Sequence, residues 1–356
     1  MKKHNTALDG LRWFAFLGVF LFHANSSLFY FGSYGVQVFF VLSGFLIGGI
    51  LLSQREQATI PLWDRLRTFY IRRSLRIFPV YYFLLLSLFV LGILHLQNSD
   101  RLYLLSYHAL YLTNFYLFFT GAQIDSQTHL WTLCVEEHFY LLIPLVLLSV
   151  SLKNLARGTV ALLVLVTACR LLNAVWWHQP RLEYLSFMQF DVMMVGVITA
   201  IVQRNGSFLG VTAPRLLRAG TVCGAASLII MVAYAFSLPF TLFLKEVVLP
   251  LTLSIGVAAL LLSLWNDRMP ALQRFLSWKP FVFLGQISYG LYLYHNFLFV
   301  LSRSSTGGMH FVMTGAVLIA TIIIATASWF LLENPVNELK RFFPYQKPKP
   351  PVDAPA

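Results

Sequence analysis

The uncharged stretch GVQVFFVLSGFLIGGILLS, residues 35–53, decides the fold class. At 1.5 Å per residue, a helix of this length is about 28 Å long, close to the roughly 30 Å hydrocarbon core of a bilayer. Inside that core every backbone N–H and C=O must find a partner, which a helix provides within its own segment. The stretch therefore predicts a transmembrane helix.

Runs of the same kind recur along the whole chain of 356 residues, of which 58% are hydrophobic and 11% charged. The mean hydropathy is +0.70. A soluble domain carries roughly a quarter of its residues as charged side chains, so that class is excluded. We predict an all-α polytopic membrane protein with about ten transmembrane helices. The predicted spans are 12–30, 35–53, 77–95, 130–150, 158–177, 186–203, 219–237, 246–265, 281–301 and 310–332.

The weaker segment 102–119 contains an aromatic run but is interrupted by His108, Thr113 and Asn114. We interpret it as an external half-helix or a re-entrant segment. Counting it as an eleventh span would move every later loop to the opposite side of the membrane.

The basic residues fix the predicted orientation. With ten spans, both termini lie on one side, and the segments on that side hold 21 of the 26 Lys and Arg residues. Basic residues accumulate on the cytoplasmic side of membrane proteins, so both termini are predicted to be cytoplasmic. The net charge of +12 is explained by this topology and by anionic lipid headgroups, and nothing indicates a nucleic-acid partner.

One integral membrane domain is expected over residues 1–340. The proline-rich segment 341–356 is expected to be a disordered cytoplasmic tail. The three cysteines, Cys134, Cys169 and Cys223, are scattered within spans. They indicate neither a disulfide framework nor a metal site.

Ionisable residues within spans are costly and indicate functional sites. Arg12 and His23 are eleven residues apart, almost three helical turns, so they share one face of the first span. Their rise is about 16 Å, which places Arg12 at the cytoplasmic mouth and His23 past the middle of the bilayer. The alternative is an Arg that reaches the headgroups and a core His bonded to a backbone carbonyl.

Three arginines, Arg72, Arg73 and Arg76, lie at the cytoplasmic, N-terminal end of the third span. Guanidinium groups and unpaired backbone N–H groups both suit phosphate, so the cluster predicts an anion site. The alternative is ordinary bias of basic residues towards the cytoplasm. In the fourth span, the adjacent Glu136 and Glu137 point about 100° apart, and at least one must face a cavity or a partner.

Three further ionisable residues lie in the outer halves of their spans. His295 lies at about the depth of His23, among tyrosines that could equally form an interfacial aromatic belt. Arg170 and Asp191 lie on consecutive spans and are predicted to form an ion pair that fixes packing.

Together, these residues suit the transfer of a group from a phosphate-bearing donor inside to an acceptor outside. They equally suit a proton-coupled transporter of an anion, and a scaffold without chemistry is disfavoured by the buried charges. The residues alone do not separate transfer from transport.

Six motifs in register make the chain resemble acyltransferase family 3, membrane proteins that O-acylate extracytoplasmic glycans and related acceptors. Four residues depart from the usual family pattern: Gln37, Thr132, Cys134 and His138. The motifs are LDGLR at 8–12 with His23, GVQVFFVLSGFLI at 35–47, Arg73-x-x-Arg76, VEEHFY at 135–140, ISYGLYLYH at 287–295, and ENP at 333–335.

The resemblance implies an acyl-CoA donor, usually acetyl-CoA, that binds from the cytoplasm of a bacterium, in whose inner membrane the protein would lie. Arg12, Arg73 and Arg76 would hold the donor phosphates, which leaves the thioester near His23. His23 would act as general base, with Glu136 or Glu137 orienting its ring and stabilising the imidazolium. An acyl-His intermediate is the second mechanism.

The implied acceptor is a carbohydrate hydroxyl on the far side, on O-antigen, capsule, exopolysaccharide or another glycan, which could be lipid-linked. His295, Ser43, Trp131 and Tyr140 are the predicted acceptor contacts. Aromatic rings such as those of Trp131, Tyr140, Tyr292 and Tyr294 suit stacking on sugars.

Overall fold

The computed structural model describes residues 4–57, 59–93, 103–122, 124, 126–238, 243–303 and 311–345. Almost all regular structure there is helical, apart from a two-stranded hairpin of β1, Ser207–Phe208, and β2, Val211–Thr212. The α-helices are α1 Thr6–Ala24, α2 Gly35–Arg55, α3 Leu62–Ile93, α4 Leu104–Ala109, α5 Thr113–Thr120, α6 Trp131–Ser149, α7 Leu152–Leu172, α8 Phe187–Asn205, α9 Ala213–Ala235, α10 Leu249–Trp265, α11 Pro270–Leu276, α12 Lys279–Gln286, α13 Ser288–Arg303, α14 Phe311–Ser328 and α15 Asn334–Glu338.

Short 3-10 and π turns extend or join several of these helices. They are the 3-10 turns Tyr30–Tyr34, Thr128–Leu130, Leu182–Tyr184 and Leu339–Phe342 and the π turns Asn173–Trp177, Leu244–Val248 and Trp329–Glu333. In the part of the chain that the structure describes, nine helical stretches are long and apolar enough to cross a membrane. They overlap nine of the ten predicted spans, which confirms the all-α polytopic class. The first stretch, Thr6–Ala24, begins and ends six residues earlier than predicted, and the third begins at Leu62 rather than at 77.

The remaining predicted span, 281–301, is built as two helices, α12 and α13, that are separated at Ile287. The broken helix runs alongside α1. At one end, Thr6 donates a hydrogen bond to Ser277 over 2.9 Å, and a Cβ on Gly285 would overlap the Asp9 backbone. At the other end, His23 lies 2.8 Å from His295. The pair therefore covers the depth of a spanning helix in two pieces.

The segment predicted to be an external half-helix or re-entrant consists of the two short helices α4 and α5, and neither is long enough to span. Two of its three interrupting polar residues, His108 and Thr113, bond to each other, whereas Asn114 donates to the Tyr184 carbonyl and to Ser186. His108 contacts Thr113 through Nδ1 and Gln127 through Nε2, each at 2.6 Å. Burial lowers the pKa of His108 to about 4, so this histidine is neutral at pH 7 and holds the connection to α6 together.

Both ends of the described chain lie on one side of the helix bundle. Arg72, near the start of α3, donates hydrogen bonds to the carbonyls of Lys340 and Phe343 at 2.7 and 2.8 Å. Its neighbours Arg73 and Arg76 line a cavity together with Arg12 of α1. The shared side fits an even number of crossings, and its assignment to the cytoplasm stays a prediction. Most of the predicted disordered tail, residues 346–356, lies outside the described residues.

Helix packing depends on close approach and on one buried ion pair. At the crossing of α2 and α8, a Cβ on Gly44 would overlap the Met193 carbonyl, and one on Gly196 would overlap the Val41 carbonyl. Arg170 of α7 and Asp191 of α8 form a two-pronged pair, with N–O distances of 2.5 and 3.0 Å. The predicted Arg170–Asp191 ion pair is thus confirmed.

Candidate active site

A cavity opens among α1, α2, α3, α6 and α13 on the side where the described chain begins and ends; we call it the inner cavity. Helices that are distant in sequence converge on it, and each contributes polar side chains at its wall. Six of the predicted site residues meet there: Arg12, Ser43, Arg73, Arg76, Glu136 and Glu137.

Three arginines, Arg12, Arg73 and Arg76, share the lining of the inner cavity with Glu136 and Glu137. Arg12 is paired with Asp9 at 3.3 Å, whereas neither Arg73 nor Arg76 has an ion pair with any residue that the structure describes. The guanidinium of Arg73 lies 3.9 Å above the ring of Tyr140, and its Nε has no hydrogen-bond partner among the described residues. Neighbouring arginines that have no direct ion pair of their own suit an anionic ligand.

A short hydrogen-bond chain fixes the carboxylate of Glu136. Ser43 Oγ donates to Glu136 Oε1 over 2.6 Å, and the Tyr140 hydroxyl donates to Ser43 Oγ over 2.9 Å. The charge of Glu137 interacts with that of Arg73. The sequence predicts that Ser43 and Tyr140 contact the acceptor. In the structure, Ser43 lines the inner cavity and Tyr140 lies beneath Arg73.

A second and larger cavity, the outer cavity, lies towards the opposite side. Val36, Phe40 and Tyr292 line both cavities and so form the wall between them. The outer cavity combines aromatic rings with charged groups. Its lining includes His23, His129, Trp131, Tyr30, Tyr34, Tyr184, Glu183, Lys245 and Glu246. Trp131 and Tyr292 therefore occupy the expected acceptor side, whereas the hydroxyl of Tyr294 lies 3.0 Å from Ser328 and its ring lines neither cavity.

Two histidines form a hydrogen-bonded pair at the wall of the outer cavity. His23 Nδ1 lies 2.8 Å from His295 Nε2, and the rings are nearly parallel. His295 Nδ1 lies 2.7 Å from the Tyr292 carbonyl, to which it can only donate. A neutral His295 must then accept through Nε2 from His23 Nδ1–H. This places the basic lone pair of His23 on Nε2.

His295 thus holds the contact that the sequence analysis gives to Glu136 or Glu137. Those carboxylates lie on the inner cavity, and the partner of Glu136 is Ser43. His295 itself is fully buried, which suits a positioning residue better than the predicted acceptor contact. A partner that accepts from Nδ1–H also favours the imidazolium that forms when Nε2 takes a proton.

His129 is a further polar residue of the outer cavity that the sequence motifs do not indicate. It belongs to the 3-10 turn before α6, and its ring centroid lies 5.1 Å from that of His295. Its Nε2 donates to the Leu293 carbonyl over 3.2 Å. No spacing rule connects a turn residue at 129 with helices at 23 and 295, so only the folded chain reveals the cluster.

Curated proteins of similar sequence are named as O-acetyltransferases. The chain is 28% identical to the peptidoglycan O-acetyltransferase OatA of Listeria monocytogenes, over 95% of this chain and 56% of that protein. It is 29% identical to the putative peptidoglycan O-acetyltransferase YrhL of Bacillus subtilis, over 94% and 55%. It is 23% identical to the O-acetyltransferase OatA of Staphylococcus aureus, over 94% and 58%. The chain spans a little over half the length of these curated relatives.

No solved structure matches the chain. The acyltransferase domain that defines family 3 matches residues 5–333, which include every motif residue at the two cavities. The chain belongs to acyltransferase family 3.

Proposed function

We propose that the protein is a membrane O-acyltransferase that moves an acetyl group from cytoplasmic acetyl-CoA to a hydroxyl of an extracytoplasmic glycan. One observation carries this proposal: an arginine-lined cavity and a histidine-lined cavity lie back to back and share the wall of Val36, Phe40 and Tyr292. The protein would lie in the cytoplasmic membrane of a bacterium. The basic residues at the inner cavity fit the cytoplasmic side.

The donor would bind with its phosphates at Arg73, Arg76 and Arg12. Coenzyme A carries its phosphates at one end and its thioester at the end of a long flexible arm. Along α1, Arg12 and His23 differ in height by about 16 Å, so an arm of that kind is needed to connect the two ends of the path. Neither Arg73 nor Arg76 is neutralised by an ion pair within the described residues, which supports their use for phosphate.

The acceptor would occupy the outer cavity, with its hydroxyl at His23 Nε2. The aromatic rings of Trp131, Tyr184 and Tyr292 line this cavity and suit the apolar faces of sugars. The names of the relatives support a cell-wall glycan as the first acceptor to test. A lipid-linked glycan would reach the same cavity from the membrane surface.

The reaction exchanges one acyl bond for another. His23 Nε2 takes the hydroxyl proton while the oxygen attacks the thioester carbonyl, and His295 supports the imidazolium through the Nδ1–H contact. The tetrahedral intermediate then expels the coenzyme A thiolate, which receives the proton from His23. The products are an O-acetyl ester and free coenzyme A, so no further reactant is required.

The competing function is a transporter that uses the same polar path without acyl transfer. To separate the two, membranes containing the protein receive acetyl-labelled acetyl-CoA and soluble peptidoglycan glycan chains. The acyltransferase transfers label to the glycan as an ester that mild base releases, whereas N-acetyl groups stay attached. A transporter transfers no label.

The matched control is membrane containing an equal amount of the His23→Ala variant, which lacks the proposed base and is expected to accumulate in the membrane as the wild-type protein does. Glycan label from the wild-type protein alone supports the proposal. Equal label from both membranes, or from neither, contradicts it.

A further inference from the structure

Residues 339–345, the last that the structure describes, lie against the arginine cluster beside the inner cavity; we call them the strap. Two carbonyls of the strap, those of Lys340 and Phe343, accept hydrogen bonds from Arg72. The Arg72 guanidinium also lies 4.4 Å from the ring centroid of Tyr345. The strap is thus anchored at two points beside the arginines that line the cavity.

This anchoring adds a cation to a cluster that is already positive. The charge of Lys340 interacts with those of Arg76, Arg73 and Arg72, and the Lys340 ammonium also hydrogen-bonds to Asn337. Among the residues that the structure describes, none of these four cations has a carboxylate within ion-pairing distance, and the carboxylates of Glu136, Glu137 and Glu333 interact with Arg73 or Arg76 only from farther away. Like charges that are brought together by the fold repel one another unless an anion lies between them. Such an arrangement is expected where a multiply charged anion binds.

The four cations fall into two groups. Arg73 and Arg76 line the inner cavity itself, whereas Arg72 and Lys340 lie outside its lining, on the strap side. Two adjacent groups of cations suit a ligand with two separate phosphate groups. Coenzyme A is such a ligand, because it has a pyrophosphate on its arm and a second phosphate on the ribose 3′-oxygen.

We infer that the strap binds the 3′-phosphate of coenzyme A through Lys340, while Arg73 and Arg76 bind the pyrophosphate. This inference rests on the proposed function, since it takes acyl-CoA as donor. Arg72 would position the strap rather than contact the ligand, because its hydrogen bonds hold the backbone of Lys340 and Phe343. Lys340 is then the residue that separates coenzyme A from analogues that lack the 3′-phosphate.

The experiment measures binding of coenzyme A and of 3′-dephospho-coenzyme A to the full chain in nanodiscs of uncharged lipid. The wild-type protein is expected to bind coenzyme A roughly tenfold more tightly than the dephospho form. Lys340→Ala should lower the affinity for coenzyme A to that of the dephospho form and leave the dephospho affinity unchanged. Lys340→Arg keeps the charge and should restore most of the difference.

Arg341→Ala is the matched control, because Arg341 is an exposed neighbour whose guanidinium lies over the ring of Phe342. It removes the same charge from the same strap and should leave both affinities as in the wild-type protein. Its use also distinguishes a local contact from a general change of surface charge.

Each outcome decides the inference. Equal loss of both ligands in Lys340→Ala overturns it, as does a wild-type protein that does not distinguish them. If Lys340 instead holds an anionic lipid headgroup, the variant changes binding only in nanodiscs that contain phosphatidylglycerol, and the inference fails. If neither nucleotide binds the wild-type protein at all, the donor assignment of the proposed function fails first.

Discussion

His295 has a defined role at the residue scale because each of its ring nitrogens has an assigned partner. Its Nδ1 donates to the Tyr292 carbonyl, and its Nε2 accepts from His23. The surrounding rings of Phe16, Phe20 and Phe299 lie within 6.4 Å of its centroid, so an apolar ring of similar size fits the site.

We expect His295→Phe to accumulate normally and to lower kcat roughly 10- to 100-fold, by analogy with the loss that follows removal of the hydrogen-bond partner of a metal-ligating histidine. KM for acetyl-CoA should change little, since the donor phosphates are held at the inner cavity. His295→Gln offers an oxygen to His23 Nδ1–H and should retain more activity than His295→Phe. Steady-state kinetics of both variants provide the check. Normal kcat in His295→Phe would remove this residue from the mechanism.

The sequence indicated which residues are polar within the membrane, but not all of their neighbours. Periodicity placed Arg12 and His23 on one face of α1, and the structure brings Arg12 to Arg73 and Arg76 as expected. The periodicity could not show that His23 faces His295 rather than Glu136, because this depends on how α1, α6 and α13 pack. For the same reason, the sequence could not show that Tyr140 lies beneath Arg73 or that the turn residue His129 lies beside His295.

At the scale of helices, glycine allows the close packing of α2 against α8 where the two helices cross. Gly44→Ala places a methyl group against the Met193 carbonyl. Forcing an extra methyl into a packed site typically costs about 1–3 kcal/mol. We expect a lower Tm in a thermal-unfolding assay of the detergent-solubilised protein.

Gly49→Ala on the same helix is the control, because a Cβ there meets nothing within 4 Å. It should leave Tm unchanged or raise it slightly, since alanine favours helix more than glycine does. Equal changes in Tm from the two substitutions would mean that α2 and α8 do not pack more closely at Gly44 than at Gly49.

Spanning elements were largely predictable from sequence, because apolar length is a local property. The predicted span 281–301 was correct in position, but its division at Ile287 into α12 and α13 was not foreseen. Gly285 lies two residues before the division, but a single glycine is tolerated within a helical pattern and does not by itself predict a break. The strap is another feature that depends on contacts with a distant helix, here through Arg72.

At the scale of the whole molecule, the arginine-lined inner cavity and the histidine-lined outer cavity lie on opposite sides of one wall. The first and last residues that the structure describes lie on the arginine-lined side, where the basic residues predict the cytoplasm. This division requires that donor binding and chemistry be separable, because different residues at different depths perform them.

The most direct test titrates coenzyme A and measures acetyl transfer in the same membrane preparations. Arg73→Ala and Arg76→Ala should each weaken coenzyme A binding by about ten- to a hundredfold, since each removes a charge-assisted contact. His23→Ala should bind coenzyme A nearly as the wild-type protein does and yet transfer no acetyl group. Arg67→Ala, an exposed arginine of the same helix α3, is the control and should change neither quantity.

The account predicts binding lost in the two cavity arginine variants and turnover lost in all three functional variants. Normal coenzyme A binding in Arg73→Ala and Arg76→Ala, or loss of binding in His23→Ala, would contradict it.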